Sequence, residues 1–272
     1  MIKNKNSIIF YTLLVITSIA VIFPVLYAFV VSFMDTKEIS RGQFYTLQPS
    51  IKNYAKVIVT IPILRYMYNS FAIAIIVMIV RLITCSLAAF AFVFIPFKGK
   101  NFFFLLFIST MMVPWQATVI PNYLTIIKLD LLNSYAGLTL PFLANALGMF
   151  LMRQHFKTLP SELAESAEID GCGRFRFYAS IVLPLSTPVL ATCAVNSFLN
   201  LWNMYLWPLL VTTSKDSRTI QIGLKTLISQ EAGTDWGLLM AGVVCVVLPS
   251  LVLLYAGQKQ LKKGLMAGAV KG

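Results

Sequence analysis

The segment Pro160–Gly171, PSELAESAEIDG, holds four of the chain's ten acidic residues: Glu162, Glu165, Glu168 and Asp170. The chain as a whole carries 22 Lys and Arg and a formal charge of +12, so the segment is a local reversal of sign. Carboxylates at this spacing can take charge-assisted hydrogen bonds from basic side chains on another protein. Acid–base or metal chemistry is a poor fit, because the lone histidine, His155, stands beside Arg153 and Lys157 with no ligand or triad partner in sequence.

A second constellation is built from amides. Thr192, Asn196, Asn200, Asn203 and Trp207 fall within an arc of about 80° if one ideal helix carries them all. Such a face reads in two ways. It can be glue between helices, at roughly 0.6–2 kcal/mol per contact. It can equally be a cavity for a hydroxylated solute, with Trp202 or Trp207 as a stacking surface. Trp115, Gln116 and Asn122 cluster near the break marked by Pro114 and Pro121 and read as cavity lining at a broken helix or as a packing kink. Arg81 sits in mid-span, where a charge costs roughly 2.5–3.5 kcal/mol. It reads as an attractor for an anionic solute, as a contact for a partner chain, or as a snorkelling side chain.

The elements that must hold these residues are membrane helices. The 272 residues are 58% hydrophobic and 12% charged, with a mean hydropathy of +0.79. Soluble domains carry about a quarter charged residues. Six stretches approach the roughly 20 apolar residues that cross a bilayer: near Ile8–Phe33, Asn69–Ile95, Phe102–Leu124 (interrupted by Pro114 and Pro121), Tyr135–Met152, Leu185–Val211 and Leu238–Gly257. The first is too long for a signal peptide and lacks a cleavage site, so it reads as a retained anchor. The fold class expected is an all-α integral membrane protein of six spans. It forms one membrane domain, 1–272, whose core region 69–257 contains a cytoplasmic segment 153–185.

With both termini in the cytoplasm, twelve Lys/Arg lie inside and nine outside. The basic N-terminus and the KQLKK tail favour that orientation. No basic stripe points to nucleic acid. Cys85, Cys172, Cys193 and Cys245 are scattered without paired spacing and read as packing residues. The acidic segment then lies in the cytoplasm. Thr158 or Ser161 can cap a helix of about ten residues that Gly171 ends. Its apolar arc, Leu163, Ala164 and Ala167, opposes the acids. So short a helix is not stable alone and is expected to dock on a partner.

The residues around this helix resemble a known family. The permease subunits of binding-protein-dependent ABC importers carry Glu-Ala-Ala, three residues, Gly, nine residues, Ile, one residue, Leu-Pro. Here the pattern runs Glu165-Ser166-Ala167, then Gly171, then Ile181 and Leu183-Pro184, with Ser166 the single departure. NSFLNLWNMYLWPLL, GTDWGLLMAG and QKQLKKGLMAGAVKG are similar to the carbohydrate-uptake branch. LNSYAGLTLPFLANALGMFLMRQHFKTLP and STMMVPWQATVIPNYLTI look most like the second permease of glycerol-3-phosphate-type importers.

That resemblance implies a type I ABC importer permease fold in a bacterial cell membrane and transport of an oligosaccharide or glycerol-3-phosphate. It implies a second permease as heterodimer partner, an ATPase dimer that binds ATP and Mg, and an extracytoplasmic solute-binding protein. It assigns coupling to the ATPase to Glu162, Glu165, Ser166, Ala167, Asp170, Gly171, Ile181, Leu183 and Pro184. The candidate solute pathway comprises Asn196, Asn200, Asn203, Trp207, Trp115, Gln116 and Arg81. No G-x-x-x-x-G-K-[ST] occurs, so the chain has no cradle of its own for ATP, and no cofactor of its own is expected. The alternative is an ion-coupled secondary transporter. All ten acids fall in the assigned loops, which disfavours proton coupling through intramembrane carboxylates.

Overall fold

The computed structural model describes residues 3–228 and 233–269. Glu231, among the acids placed in loops, and Lys271, among the cations of the tail, lie outside them. In chain order the α-helices are α1 (Lys3–Ser32), α2 (Thr36–Ser40), α3 (Lys52–Thr60), α4 (Ile63–Phe94), α5 (Lys100–Ser109) and α6 (Trp115–Lys128). They continue with α7 (Tyr135–Thr139), α8 (Ala146–Phe156), α9 (Ser161–Ile169), α10 (Arg174–Phe177), α11 (Leu183–Leu185), α12 (Thr187–Trp202), α13 (Leu206–Val211), α14 (Ile220–Lys225) and α15 (Trp236–Ala269). No strand occurs among the described residues.

Three single helices are long and apolar enough to cross a membrane: Ser7–Ser32, Ile63–Phe94 and Trp236–Gln258. Three bent pairs supply the rest: Lys100–Met112 with Trp115–Lys128 at 96°, Tyr135–Phe142 with Ala146–Phe156 at 48°, and Arg174–Leu185 with Thr187–Trp202 at 79°. Counted as one span each, the pairs give six.

The breaks have local causes. Pro114 has no N–H and forces Val113 out of the helical region, to φ −83°, ψ 113°. Pro121, expected to interrupt the same span, lies inside the continuous helix α6. The span expected near Leu185–Val211 is also not one helix. It ends at Trp202, Asn203 is the cap, and α13 starts afresh at Leu206. Pro208 favours the stop, since its ring crowds the carbonyl of Met204 in a continued helix, although Pro24, Pro121 and Pro249 are each carried inside a helix.

Backbone proximity divides the chain into two units, residues 1–65 with 222–249 and residues 66–221 with 250–272. In the first, Asn53 is buried and its Nδ2 donates to the carbonyls of Ser32 (3.0 Å) and Met34 (2.8 Å), closing the C-terminal end of α1. Gly237 lies against this amide, and a Cβ there would stand 2.6 Å from Asn53 Nδ2. Asp235 accepts from the Leu238 N–H at 3.2 Å at the start of α15 and pairs with Lys56 at 3.7 Å.

In the second unit, a core cluster joins α4, α8, α9, α10 and α12 through Cys85, Phe90, Met152, Phe156, Ala167, Phe177 and Cys193. Tyr178 opens a π-helical turn, Tyr178–Val182, and its hydroxyl shares a 2.7 Å hydrogen bond with Ser86 of α4.

Candidate functional site

The acidic segment folds as the nine-residue helix α9. Its start differs from the expectation. Pro160 is the cap residue and provides no side-chain bond, while the Thr158 hydroxyl donates backwards to the His155 carbonyl at 2.7 Å. Its end is as expected and is well built. Gly171 takes φ +66°, its N–H donates to Glu168 O (3.0 Å), and the Cys172 N–H donates to Ala167 O (2.8 Å). These two bonds are the 5→2 and 6→1 pair of a Schellman motif, which needs a left-handed residue at that position.

The helix distributes its residues between two audiences. Ala167 is buried, and Leu163 and Ala164 pack on the chain's own core cluster alongside Ile181 and Leu183. This corrects the expectation that a foreign partner must cover the apolar arc. The chain on either side of α9 contributes Phe156, Phe177 and Tyr178 to the same cluster. Glu162, Glu165, Ser166, Asp170, Gly171 and Pro184 are exposed, as is Glu168. No carboxylate of the four makes an ion pair among the described residues. Ile169 and Phe175, which sequence reasoning passed over, flank the turn at 86% and 75% exposure. Their signal was an apolar residue on the acidic side of the helix and another between two arginines.

The pathway candidates fall into two groups. Asn196 and Asn200 are exposed on α12, and Asn200 Nδ2 donates to Asn196 Oδ1 at 2.7 Å. Asn203 is exposed at the helix end. Trp207 does not continue that face, because the helix has already stopped. It is fully buried and its indole N–H donates to Gly137 O at 3.0 Å. Its ring meets Trp115 at 5.8 Å and Phe142 at 6.1 Å, and Trp115 lies 4.8 Å from Phe142. Gln116, next to this aromatic group, is exposed.

Arg81 reaches the same group from α4. It is 8% exposed and donates through Nε to the Phe142 carbonyl. Two neighbours that the sequence did not single out act with it. Thr84 donates to Leu143 O at 3.2 Å and Cys85 to Asn145 O at 3.2 Å. The break between α7 and α8 leaves carbonyls without helical partners, and one face of α4 at i, i+3 and i+4 supplies three of the donors. Asn145 closes the other side of the break by accepting from the Gly148 N–H. Arg81 is therefore first a clamp on a broken span.

Two further amides hold the segment after α13. Asn133, at φ +58°, accepts from the N–H groups of Thr213 (2.7 Å) and Ser214 (2.9 Å). Asn69 donates to the carbonyls of Asp216 (2.8 Å) and Arg218 (2.9 Å).

Helices broken within membrane-length spans, polar groups turned inward at the α7–α8 break and an exposed acidic helix fit a transport permease that works with other proteins. Residues 83–266 match the family of binding-protein-dependent transport system inner membrane components, and the chain belongs to it. It is 36% identical to the sn-glycerol-3-phosphate transport system permease protein UgpE of Brucella melitensis over 274 residues, 97% of each chain. The protein of the same description from Rhizobium meliloti is 36% identical over 96% of each chain. That from Escherichia coli is 36% identical over 98% of this chain and 99% of its own. The fold is that of a bacterial ABC transporter involved in the import of the acidic polysaccharide alginate, with a TM-score of 0.85 over 94% of this chain and 96% of that one, at 22% identity. The chain is thus a multi-pass inner-membrane importer permease, and membership in this family sets aside the ion-coupled carrier.

Proposed function

We propose that the chain forms half of the translocation pathway of an ATP-driven importer for sn-glycerol-3-phosphate or a related carbohydrate-like solute. A second permease would complete the pathway, and an ATPase dimer holding ATP and Mg would dock on α9 from the cytoplasm. A solute-binding protein would deliver from the other side, with both termini cytoplasmic. The observation that carries this reading is the division of α9: its apolar arc is spent on the chain's own core, which leaves a row of exposed, unpaired carboxylates facing outward. Carboxylates so placed gain from a basic partner and contribute nothing to internal packing. Glu162, Glu165, Ser166, Asp170 and Gly171 make the contact, and Ala167, Ile181, Leu183 and Pro184 set its shape.

The substrate reading rests on the relatives' description and on two features of the chain. Asn196, Asn200 and Asn203 are exposed amides on a membrane element. Bare amides cost several kcal/mol against lipid, so a watery path or the partner permease covers them. Trp115 and Gln116 border the path, while Arg81 and Trp207 shape it from behind, the former adding a positive charge that suits a phosphate ester. Co-purification from native membranes with a tag on this chain tests the assembly. Recovery of an ATPase and a second six-span protein is expected, with ATP-dependent uptake of glycerol-3-phosphate after reconstitution with the binding protein. Solute movement by this chain alone, without ATP, would overturn the reading.

A further inference from the structure

The segment after α1 carries two hollows apart from the candidate site described above. The five-residue helix α2 borders both. One is apolar and follows the last turns of α1, lined by Tyr27, Ala28 and Val31 with Ile39 of α2 and Trp236 and Met240 of α15. The other is polar, and its charged walls are Lys37, Arg41, Lys52 and Lys56 with Asp35 and Glu38. Ile39 turns to the first hollow while Lys37 and Arg41 of the same short stretch line the second.

The two carboxylates are already committed. Asp35 accepts from the Lys37 N–H at 2.9 Å. Glu38 accepts from the Asp35 N–H at 3.0 Å and from the Thr46 hydroxyl at 2.9 Å. Lys56 is held by Asp235 at 3.7 Å. Lys37, Arg41 and Lys52 stay exposed, so the polar hollow presents positive charge to whatever enters it.

Depth fixes the setting. The Phe44 ring lies 6.3 Å from that of Tyr27, which precedes the end of α1 by about five residues, or roughly 7–8 Å along the axis. The loop therefore folds back to the membrane interface, where Phe44, Tyr45 and Leu47 are exposed and Trp236 stands at the start of span six. Aromatic residues favour that layer. The apolar hollow is then at hydrocarbon depth and the cationic one at headgroup level.

We infer that the two hollows together bind one anionic phospholipid, its acyl chain along Tyr27, Ala28 and Met240 and its phosphate among Lys37, Arg41 and Lys52. Three exposed cations above an apolar channel complement a negative headgroup. A zwitterionic lipid would bring an ammonium group into the same hollow.

The test uses the purified full-length chain in mixed micelles with equal phosphatidylglycerol and phosphatidylcholine, the bound lipid being counted by native mass spectrometry. The expected result is about a hundredfold preference for phosphatidylglycerol, falling about fivefold for each cation removed in Lys37→Gln, Arg41→Gln and Lys52→Gln until the two lipids are about equal. Ala28→Phe fills the apolar hollow and should abolish retention with all cations in place. Each variant must melt with the wild-type profile in phosphatidylcholine; where the triple variant does not, Lys52→Gln alone gives the fivefold reading. Equal retention of the two lipids by the wild type would overturn the proposal. So would full retention by Ala28→Phe, or displacement of the lipid by free glycerol phosphate, since either result means that the basin reads a phosphate and not a lipid.

Discussion

The helix α9 and the break between α7 and α8 handle polar groups in opposite ways. At the break the polar contacts turn inward: Arg81, Thr84 and Cys85 of α4 donate to the carbonyls of Phe142, Leu143 and Asn145. Along α9 the polar groups look outward, and Glu162, Glu165, Glu168 and Asp170 are exposed without an ion pair among the described residues. The difference follows from solvent. A bare carbonyl inside a span has no water to satisfy it, so the chain must supply its own donors. A carboxylate outside the spans is content in water and stays available to a second protein. A region whose polar groups are closed on themselves shapes the chain, and one whose polar groups are left open is free to meet water or a second protein.

The sharpest way to break this comparison is at Ala167, which belongs to the family-like motif and yet points inward. Ala167→Leu inserts three carbons into a site that is 6% exposed. It should destabilise the chain on its own by about 2–3 kcal/mol through overpacking. The check is a thermal or denaturant melt of the purified chain without any ATPase. An unchanged melt together with lost assembly would mean that Ala167 faces the partner and that the division of α9 is wrong. Next in size is Glu165→Lys. It should leave the melt unchanged while lowering ATPase recovery about tenfold, the worth of one charge-assisted contact reversed in sign. Wild-type ATPase stoichiometry and uptake in this variant would remove the acidic row from the docking contact.

Much of α9 was legible because its signals are local. A proline, a run of acids at helical spacing and a glycine sit within twelve residues, and Gly171 does what a glycine at that place should do. The cover for its apolar arc was not legible. It comes from a cluster that includes Phe156 before the helix and Phe177 after it, and a helix pattern read in isolation cannot show which distant side chains join that cluster. Trp207 left the amide face of span five for a local reason that was in view, while Asn196, Asn200 and Asn203 stay on or at the end of α12. Pro208 disfavours a helix running through Met204, and because α12 stops at Trp202 an arc computed over Asn196 to Trp207 joins residues that no single helix carries.

Arg81 was legible as costly but not as useful. Its partner is a main-chain carbonyl 61 positions away, exposed by a break that only Pro141 and Asn145 hint at. Asn53 and Gly237 illustrate the same limit. Nothing in GTDWG announces that its second glycine must leave room for an amide from α3.

Two smaller effects sharpen the comparison from its two ends. Gly171→Ala meets no atom within 4 Å, so space is not the issue. Its φ of +66° is, and a left-handed alanine should cost about 1 kcal/mol. That cost should appear as a slightly lower melt with little loss of ATPase binding, since the carboxylates keep their places. A melt equal to wild type would show that the Schellman turn is not held as tightly as its two hydrogen bonds imply.

At the break the smallest change is Thr84→Val, which keeps the shape and removes the hydroxyl. Thr84 divides its proton between the Val80 and Arg81 carbonyls of its own helix, at 2.9 and 3.3 Å, and the Leu143 carbonyl at 3.2 Å. Only the bond to Leu143 crosses to the break, and Arg81 still holds the adjacent carbonyl. The expected loss is about 0.5 kcal/mol, the low end for a neutral hydrogen bond. Combining it with Cys85→Ala gives the informative measurement. Leu143 and Asn145 belong to one short break, so removing both donors should cost more than the two single losses together, by about 0.5 kcal/mol or more. Simple additivity in that double-mutant cycle would mean that each carbonyl finds its own substitute donor and that α4 does not clamp the break as a unit.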